Sequence, residues 1–308
     1  MKRVAGIILV FVVACCSLRA QYNVFNVGAR LGGNGYFIKS TDINLKREFG
    51  IQTMLDLNYT YLGELDMYTY LGLKIGASVG WCQNSFESQY ENHFTNYDYL
   101  GKQMDYTIKT DNVIQKVEQF QIEVPVMLAF RYAGVCANLG IKAMFPVNST
   151  YTQNLNGLNI SAYYHEYDVT VTNEIITGLA SEDQFKKTGE MNVPAVNLLG
   201  SFEFGYEFEL GRDDTHAMGV MAYLDYCFWN NYSGQQGSTD GMITVTPITD
   251  PIDPVPTVNI GILSTHSISS MKYFDVGVKI YYRFQAEAGG YYGGRGGRYH
   301  HRYAHGHR

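Results

Sequence analysis

FDVGVKIYYRF, residues 274–284, alternates without a break. Phe274, Val276, Val278, Ile280, Tyr282 and Phe284 fall on one face, and Asp275, Gly277, Lys279, Tyr281 and Arg283, with Tyr273 before them, fall on the other. A period of two marks a β-strand, because successive side chains of a pleated ribbon point to opposite sides. One side here is apolar throughout and the other carries both signs of charge. A soluble sandwich also makes such strands, so the weight lies in whether the pattern recurs.

It recurs along the whole chain. Phe25, Val27, Ala29 and Leu31 oppose Asn26, Gly28, Arg30 and Gly32, and Leu55, Leu57, Tyr59 and Tyr61 oppose Asp56, Asn58 and Thr60. The same alternation runs through 71–81, 120–131, 135–145, 202–210 and 218–228. With 274–284 this predicts eight strands of about ten residues, the length a transmembrane β-strand needs. Rings gather near the strand ends (Tyr59, Tyr61, Trp81, Phe130, Tyr132, Phe228, Tyr282, Phe284), as interfacial girdles require. Composition agrees. Tyr 26, Phe 16 and Gly 32 are high and Pro 7 is low, which suits strands and tight turns. No internal run of apolar residues is long enough for a transmembrane helix.

The connections sort by length. Short links are expected at 63–67, 133–134 and 211–215; long polar ones at 33–47, 84–116, 146–194 and 231–270. Strict alternation of short and long is the mark of an outer-membrane barrel, with short periplasmic turns and long extracellular loops. The fold class expected is all-β: an eight-stranded antiparallel up-and-down transmembrane barrel. Residues 247–256, PITDPIDPVP, read as extended polyproline-like chain. Residues 159–175 read as a hairpin above the membrane rather than two further wall strands, since Tyr163, Tyr164, His165 and Glu166 interrupt the apolar alternation. Pro125 lacks a ladder donor, so a bulge or local distortion is expected beside it.

Residues 1–20 have the form of a secretory signal: Lys2 and Arg3, an apolar stretch from Val4 to Val13, and a small residue, Ala20, before a cut ahead of Gln21. Val12, Val13, Ala14 and Cys15 also fit a lipobox that would lipidate Cys15. The other cysteines, Cys82, Cys136 and Cys227, are odd in number and irregularly spaced, which argues against a disulfide framework or a zinc site and for small buried side chains. The domains expected are 1–20 signal, 21–284 barrel and 285–308 periplasmic tail. Signal and tail are both basic, so the body between them is more acidic than the whole chain's net charge of −6, which disfavours nucleic acid.

With the strands in place, one stretch resembles a known family. FQIEVPVMLAFRY (120–132), specific mainly at Glu123, Val124 and Pro125, is similar to a strand of outer-membrane barrel domains from Bacteroidetes, the group that includes PorT-like proteins. The Ala20–Gln21 junction looks like signal cuts of that phylum. The last strand, with Gly277, Tyr282 and Phe284, resembles the signal read by the barrel-assembly machinery. The resemblance implies an eight-stranded, porin-like wall in the cell envelope. It also implies a protein that often has no known activity, or that is an accessory of secretion or transport. One departure is plain: such barrels usually end at the terminal aromatic, and this chain continues to Arg308.

The inward face would carry Arg30, Asp56, Lys74, Glu123, Arg131, Lys142, Glu203, Glu207, Glu209, Asp225, Asp275, Lys279 and Arg283. An eight-stranded barrel is just wide enough for its own side chains. Both signs are present, so a packed ion-pair network is expected rather than an open ion path. A rim protease would draw on His93, His165, Glu166, Asp168 and His266, but no spacing joins them, and no phosphate loop, HExxH or CxxC occurs. The expectation is a non-enzymatic chain without cofactor, with a structural or interaction role and surface loops as its working face; a small pore is the alternative.

The tail sets Arg295, Arg298, Arg302 and Arg308 among tyrosines and His300, His301, His305 and His307. It reads in three ways: a flexible segment without a fold, a grip on an envelope protein, anionic periplasmic polymer or lipid headgroup, or imidazoles that bind a transition metal. The partners expected are outer-membrane lipid and, during biogenesis, the assembly machinery.

Overall fold

The computed structural model describes residues 21–40, 45–47, 49–66, 68–97, 100–157, 159–172, 186–190, 193–211, 215–229, 243–246, 257–260 and 268–286. Its strands are β1 (Gln21–Ser40), β2 (Leu45–Arg47), β3 (Gly50–Asp66), β4 (Thr69–Tyr97), β5 (Gln103–Tyr132), β6 (Val135–Asn156), β7 (Asn159–Tyr164), β8 (Val169–Thr172), β9 (Lys186–Glu190), β10 (Asn197–Glu209), β11 (His216–Cys227), β12 (Ile243–Thr246), β13 (Thr257–Ile260) and β14 (Ile268–Ala286). The chain is all-β, and every pairing is antiparallel.

Twelve strands share one sheet. Its path runs β4, β3, β1, β14, β11, β10, β6, β5, and β4 also pairs with β5, so the path returns on itself. The last strand seals the first: Phe25 pairs with Phe284, Arg30 with Lys279 and Asn34 with Asp275. β2, β7 and β9 attach to the far ends of β4, β5 and β6, β8 pairs with β7, and β12 and β13 form a separate pair.

The near end holds the tight turns. Between β5 and β6 the chain reverses through Ala133 (φ 45°) and Gly134 (φ 88°), two left-handed residues as a two-residue hairpin of the right twist needs. Asp66 closes the β3–β4 turn by accepting bonds from the Tyr68 N–H (3.0 Å) and the Thr69 hydroxyl (2.9 Å). The start of β1 and the end of β14 lie at this end too, where Gln21 pairs with Gly63 and the Gln285 N–H donates to Thr215 O.

The far end differs from the loops expected there. β1 runs to Ser40, β4 and β5 continue as one hairpin almost to residue 100, and β6 reaches Asn156. Alternation persists through these stretches, but its inward members are now mixed. Met104, Tyr106, Ile108, Val113 and Val117 are buried beside Ser88, Thr110, Gln115 and Gln119. Polar composition hid strands that the period of two still supports. The hairpin expected at 159–175 forms as β7 and β8, with its turn at 165–168, and pairs with the far part of β5 outside the closed path.

Of the bulge or local distortion expected at Pro125, the structure shows a local distortion. Pro125 pairs with Lys142 in regular register. Towards β4 the ladder omits the Gly76 and Ala77 pairs and resumes at Ser78 in unchanged register. The missing N–H leaves a gap, not a bulge; the irregularity in β5–β6 falls between Phe120 and Gln121. The signal, Cys15, the 247–256 segment and the tail beyond Ala286 lie outside the described residues.

The two faces of the wall have inverted polarity. β11 reads exposed and buried in turn along its length, and its exposed members include Met218, Val220 and Leu224 while Asp225 is buried. Leu31, Leu55 and Leu139 are 63%, 65% and 60% exposed, whereas Glu123, Asp225 and Asp275 are 0% exposed. Small apolar groups close the interior towards the turn end: Val24, Leu62 and Ala129 with Tyr70, and Cys136, Met221 and Tyr281.

Candidate functional site

Alternation places the charged residues inward, and antiparallel register stacks them into one connected cluster. Arg30 stands at its centre. Its Nε donates to Asp56 Oδ1 (3.0 Å), Nη2 to Glu123 Oε2 (2.6 Å) and Nη1 to Asp225 Oδ2 (3.3 Å), so one guanidinium ties together four strands. The planar, multi-donor fork suits it to this. Lys142 Nζ reaches Asp225 Oδ2 at 2.8 Å, Lys279 Nζ reaches Asp56 Oδ2 at 2.8 Å, and Lys74 Nζ reaches Glu203 Oε2 at 2.5 Å.

A second group lies towards the turns. Glu207 takes Arg131 at 3.3 Å, Arg283 at 3.4 Å and the Tyr281 hydroxyl at 2.6 Å. Asn138 joins the two groups, donating to Glu203 Oε2 (2.7 Å) and accepting from Arg131 Nη1 (3.0 Å). Arg30, Asp56, Lys74, Glu123, Arg131, Lys142, Glu203, Glu207, Asp225, Lys279 and Arg283 are thereby brought together. Glu209 is not: at the end of β10 it is exposed.

Singling out charges overlooked neutral members of the cluster. Tyr223 lies beneath two cations, with Arg30 Cζ at 5.4 Å and Lys142 Nζ at 5.6 Å from its ring centre. Gln119, Gln121 and Glu123 form a ladder of side-chain bonds along β5 (2.8 and 3.0 Å). Their inward parity was visible; their partners were not. Cys82, Cys136 and Cys227 are buried free thiols.

Gly277, Tyr282 and Phe284 lie apart in role. Gly277 abuts Leu31 O and Gly32 on β1, a close approach that a Cβ would obstruct. Tyr282 faces outward and its hydroxyl lies 2.8 Å from His216 Nδ1; Phe284 stacks on Phe25 with ring centres 5.4 Å apart.

The far end carries a second, exposed surface on β4, β5, β7 and β8. Asp105 accepts from the Thr95 hydroxyl (2.8 Å) and lies 2.6 Å from His165 Nε2, and these two bonds hold its carboxyl below the usual carboxylate range. His93 Nδ1 lies 2.9 Å from the Thr107 hydroxyl. Lys102 bridges to Glu166 at 2.5 Å and donates to the Tyr167 hydroxyl at 2.7 Å; those contacts raise its ammonium pKa. Asp168 accepts from Tyr163. His93, His165, Glu166 and Asp168 thus each make a separate contact, with Thr107, Asp105, Lys102 and Tyr163 in turn. His266 and the tail histidines His300, His301, His305 and His307 lie outside the described residues. Among the described residues, no three His, Cys, Asp or Glu are grouped to hold a metal ion.

No family model matches the chain, and no curated protein matches it. Among solved structures it is similar to Ail, the attachment invasion locus protein of Yersinia pestis, at 8% identity and a TM-score of 0.23, covering 86% of this chain and 100% of that one. It is also similar to the translocator domain of the autotransporter NalP from Neisseria meningitidis, at 7% identity and a TM-score of 0.21, covering 92% of this chain and 95% of that one. At such scores the superpositions add nothing to what the strand pairings already establish.

Proposed function

We propose that the chain is a non-enzymatic bacterial outer-membrane protein whose eight paired strands, β1, β3, β4, β5, β6, β10, β11 and β14, form a transmembrane barrel. The observation that carries this reading is the inverted polarity of the wall. A continuous outward surface of Val, Leu, Ile and Phe surrounds a buried set of Arg, Lys, Asp and Glu. Monomeric soluble proteins rarely expose contiguous apolar patches beyond a few hundred Å². Hydrocarbon is the solvent that such a surface fits.

Rings bound that surface on both sides. Phe25, Tyr59 and Phe284 cluster near the turns, with Phe25 ring centres 5.2 and 5.4 Å from the other two. Phe37, Phe274 and Tyr226 cluster further up, at 4.7 and 6.1 Å from Phe37. Phe274 and Phe284 are separated along β14 by about 33 Å of strand, which at a tilt of about 40° gives a band about 25 Å tall. That is the height of an outer-membrane barrel's apolar band.

Short turns and both strand termini share one end, which supports a periplasmic assignment for that end and an extracellular one for the β4–β5 hairpin, β7 and β8. The hairpin surface is then the working face, presented to envelope or external partners. The cross-linked interior speaks against a pore, and a planar bilayer should show no steady conductance.

The deciding experiment is heat modifiability of the envelope-extracted protein. Boiled and unboiled samples should migrate differently on a detergent gel, and the protein should fractionate with the outer membrane. A single mobility, with the protein recovered in the soluble fraction, would refute the reading.

A further inference from the structure

Asp225 on β11 and Asp275 on β14 stand directly opposite each other, both turned inward and fully buried. Cross-strand neighbours have Cβ atoms about 4.5–5.5 Å apart, and like charges in that position destabilise a sheet. Their oxygens are unequally used. Asp225 Oδ2 takes Lys142 at 2.8 Å and Arg30 at 3.3 Å, but Asp225 Oδ1 has no hydrogen-bond partner. Asp275 Oδ1 receives one long bond from the Tyr223 hydroxyl, 3.3 Å, and Asp275 Oδ2 has no partner. Ser201, opposite Asp225 on its other side, is 3% exposed, and its Oγ is also without a partner.

Within the Arg30 group charge also fails to balance, and the offsetting cation lies in the Glu207 group towards the turns, where Arg131 and Arg283 share one carboxylate. The interior group around Arg30 holds four cations, Arg30, Lys74, Lys142 and Lys279, against five carboxyl groups, Asp56, Glu123, Glu203, Asp225 and Asp275. Each of the first four carboxyls has a cation within ion-pair distance; among the described residues, Asp275 has none. A buried charge without a partner is costly, and two facing carboxylates that cannot both ionise alone share a positive charge.

We propose that Asp225 and Asp275 together bind one monovalent cation, a proton or an alkali-metal ion, held between Asp225 Oδ1 and Asp275 Oδ2, with the unpartnered Ser201 Oγ beside Asp225 on the neighbouring strand. A proton on Asp275 is donated across the strands to Asp225, which satisfies both oxygens with a single bond. A sodium ion takes the same oxygens as ligands. The charged groups facing the pair are Arg30 from β1, Glu123 from β5 and Lys142 from β6; Arg30 and Lys142 already meet Asp225 Oδ2, and Glu123 is taken by Arg30. The site draws on interior geometry alone and does not depend on the membrane reading.

The test uses the full chain, folded in detergent, as wild type, Asp275→Asn and Asp225→Asn. Asp275→Asn, whose amide supplies the missing donor, should unfold at no lower a denaturant concentration than wild type in a buffer whose salt is that of a bulky organic cation. Asp225→Asn, which removes the negative charge that Lys142 and Arg30 pair with, should unfold much earlier. Two readouts separate the sources. An infrared carbonyl stretch of a protonated carboxyl, present in wild type and lost in Asp275→Asn, identifies a proton. A wild-type unfolding midpoint that rises when sodium replaces the bulky cation at equal ionic strength, with the rise lost in Asp275→Asn, identifies a metal ion. If wild type gives neither signal, the site is overturned whatever the stability of the variants.

Discussion

Val278→Lys discriminates the membrane reading from every soluble alternative. Val278 is 48% exposed in the middle of β14, four residues from Phe274 and four from Tyr282. At the usual rise and tilt, each ring lies about 10 Å of depth away, so Val278 sits near the centre of the apolar band. A lysine on the lipid face at mid-depth costs about 2–4 kcal/mol, falling to about 0–1 kcal/mol near the interfaces. At about 1.4 kcal/mol per factor of ten, the folding equilibrium should fall roughly 30- to 700-fold. In water the same change at a half-exposed strand position should stay within about 0.5 kcal/mol. The assay is reversible denaturant unfolding of the purified chain in lipid vesicles, with Phe284→Lys at the edge of the band as the interfacial control. Equal, sub-kcal effects at the two positions would refute the argument, because nothing in the interior distinguishes outward-pointing Val278 from outward-pointing Phe284.

The interior and the far end make predictions of their own. Glu203→Gln leaves Lys74, which it meets at 2.5 Å, as a buried cation without its carboxylate, so stability should drop by about 3–5 kcal/mol in denaturant titration; adding Lys74→Met should restore part of the loss. Gly277→Ala forces a Cβ against Leu31 O and the Gly32 Cα and should cost about 1–3 kcal/mol, while Gly33→Ala, whose Cβ would meet nothing nearer than Gly50 O at 3.7 Å, should be close to neutral. At the far end, bonds from Thr95 and His165 hold Asp105 below its unfolded pKa of about 3.9. Its contribution is therefore fully present above about pH 4 and disappears as pH falls through the lower folded value. Amide exchange in the 93–107 region should accelerate as pH falls through that acidic window in wild type. Asp105→Asn should lose that acidic step, and a wild type without it would contradict the assignment.

Alternation carried the architecture because it is a local property. Phe274 to Phe284 point where they do as a consequence of the pleat, whatever the rest of the chain does, and the inward placement of Arg30, Glu123 and Asp225 could be read the same way. It failed where composition was allowed to outweigh period. Residues 84–116 are polar enough to suggest a loop, but Met104, Tyr106 and Ile108 hold an inward row that turns most of the segment into a hairpin. Pro125 announced a disturbance but not its form: the effect of a missing donor depends on which neighbour that N–H faced, and that is a matter of pairing.

The sequence by itself determined which residues face which way, where the 133–134 turn falls and that the interior must contain charges of both signs. Each follows from the pleat, from the left-handed conformation at Gly134 and from composition. Only the tertiary structure decided the partners. That Arg30 spans Asp56, Glu123 and Asp225, that Asn138 joins two ion-pair groups, and that Asp275 faces Asp225 without a cation all depend on the register between strands as far apart in sequence as β1 and β14. Register is set when the sheet closes, and a shift of one residue would turn every one of these side chains to the opposite face.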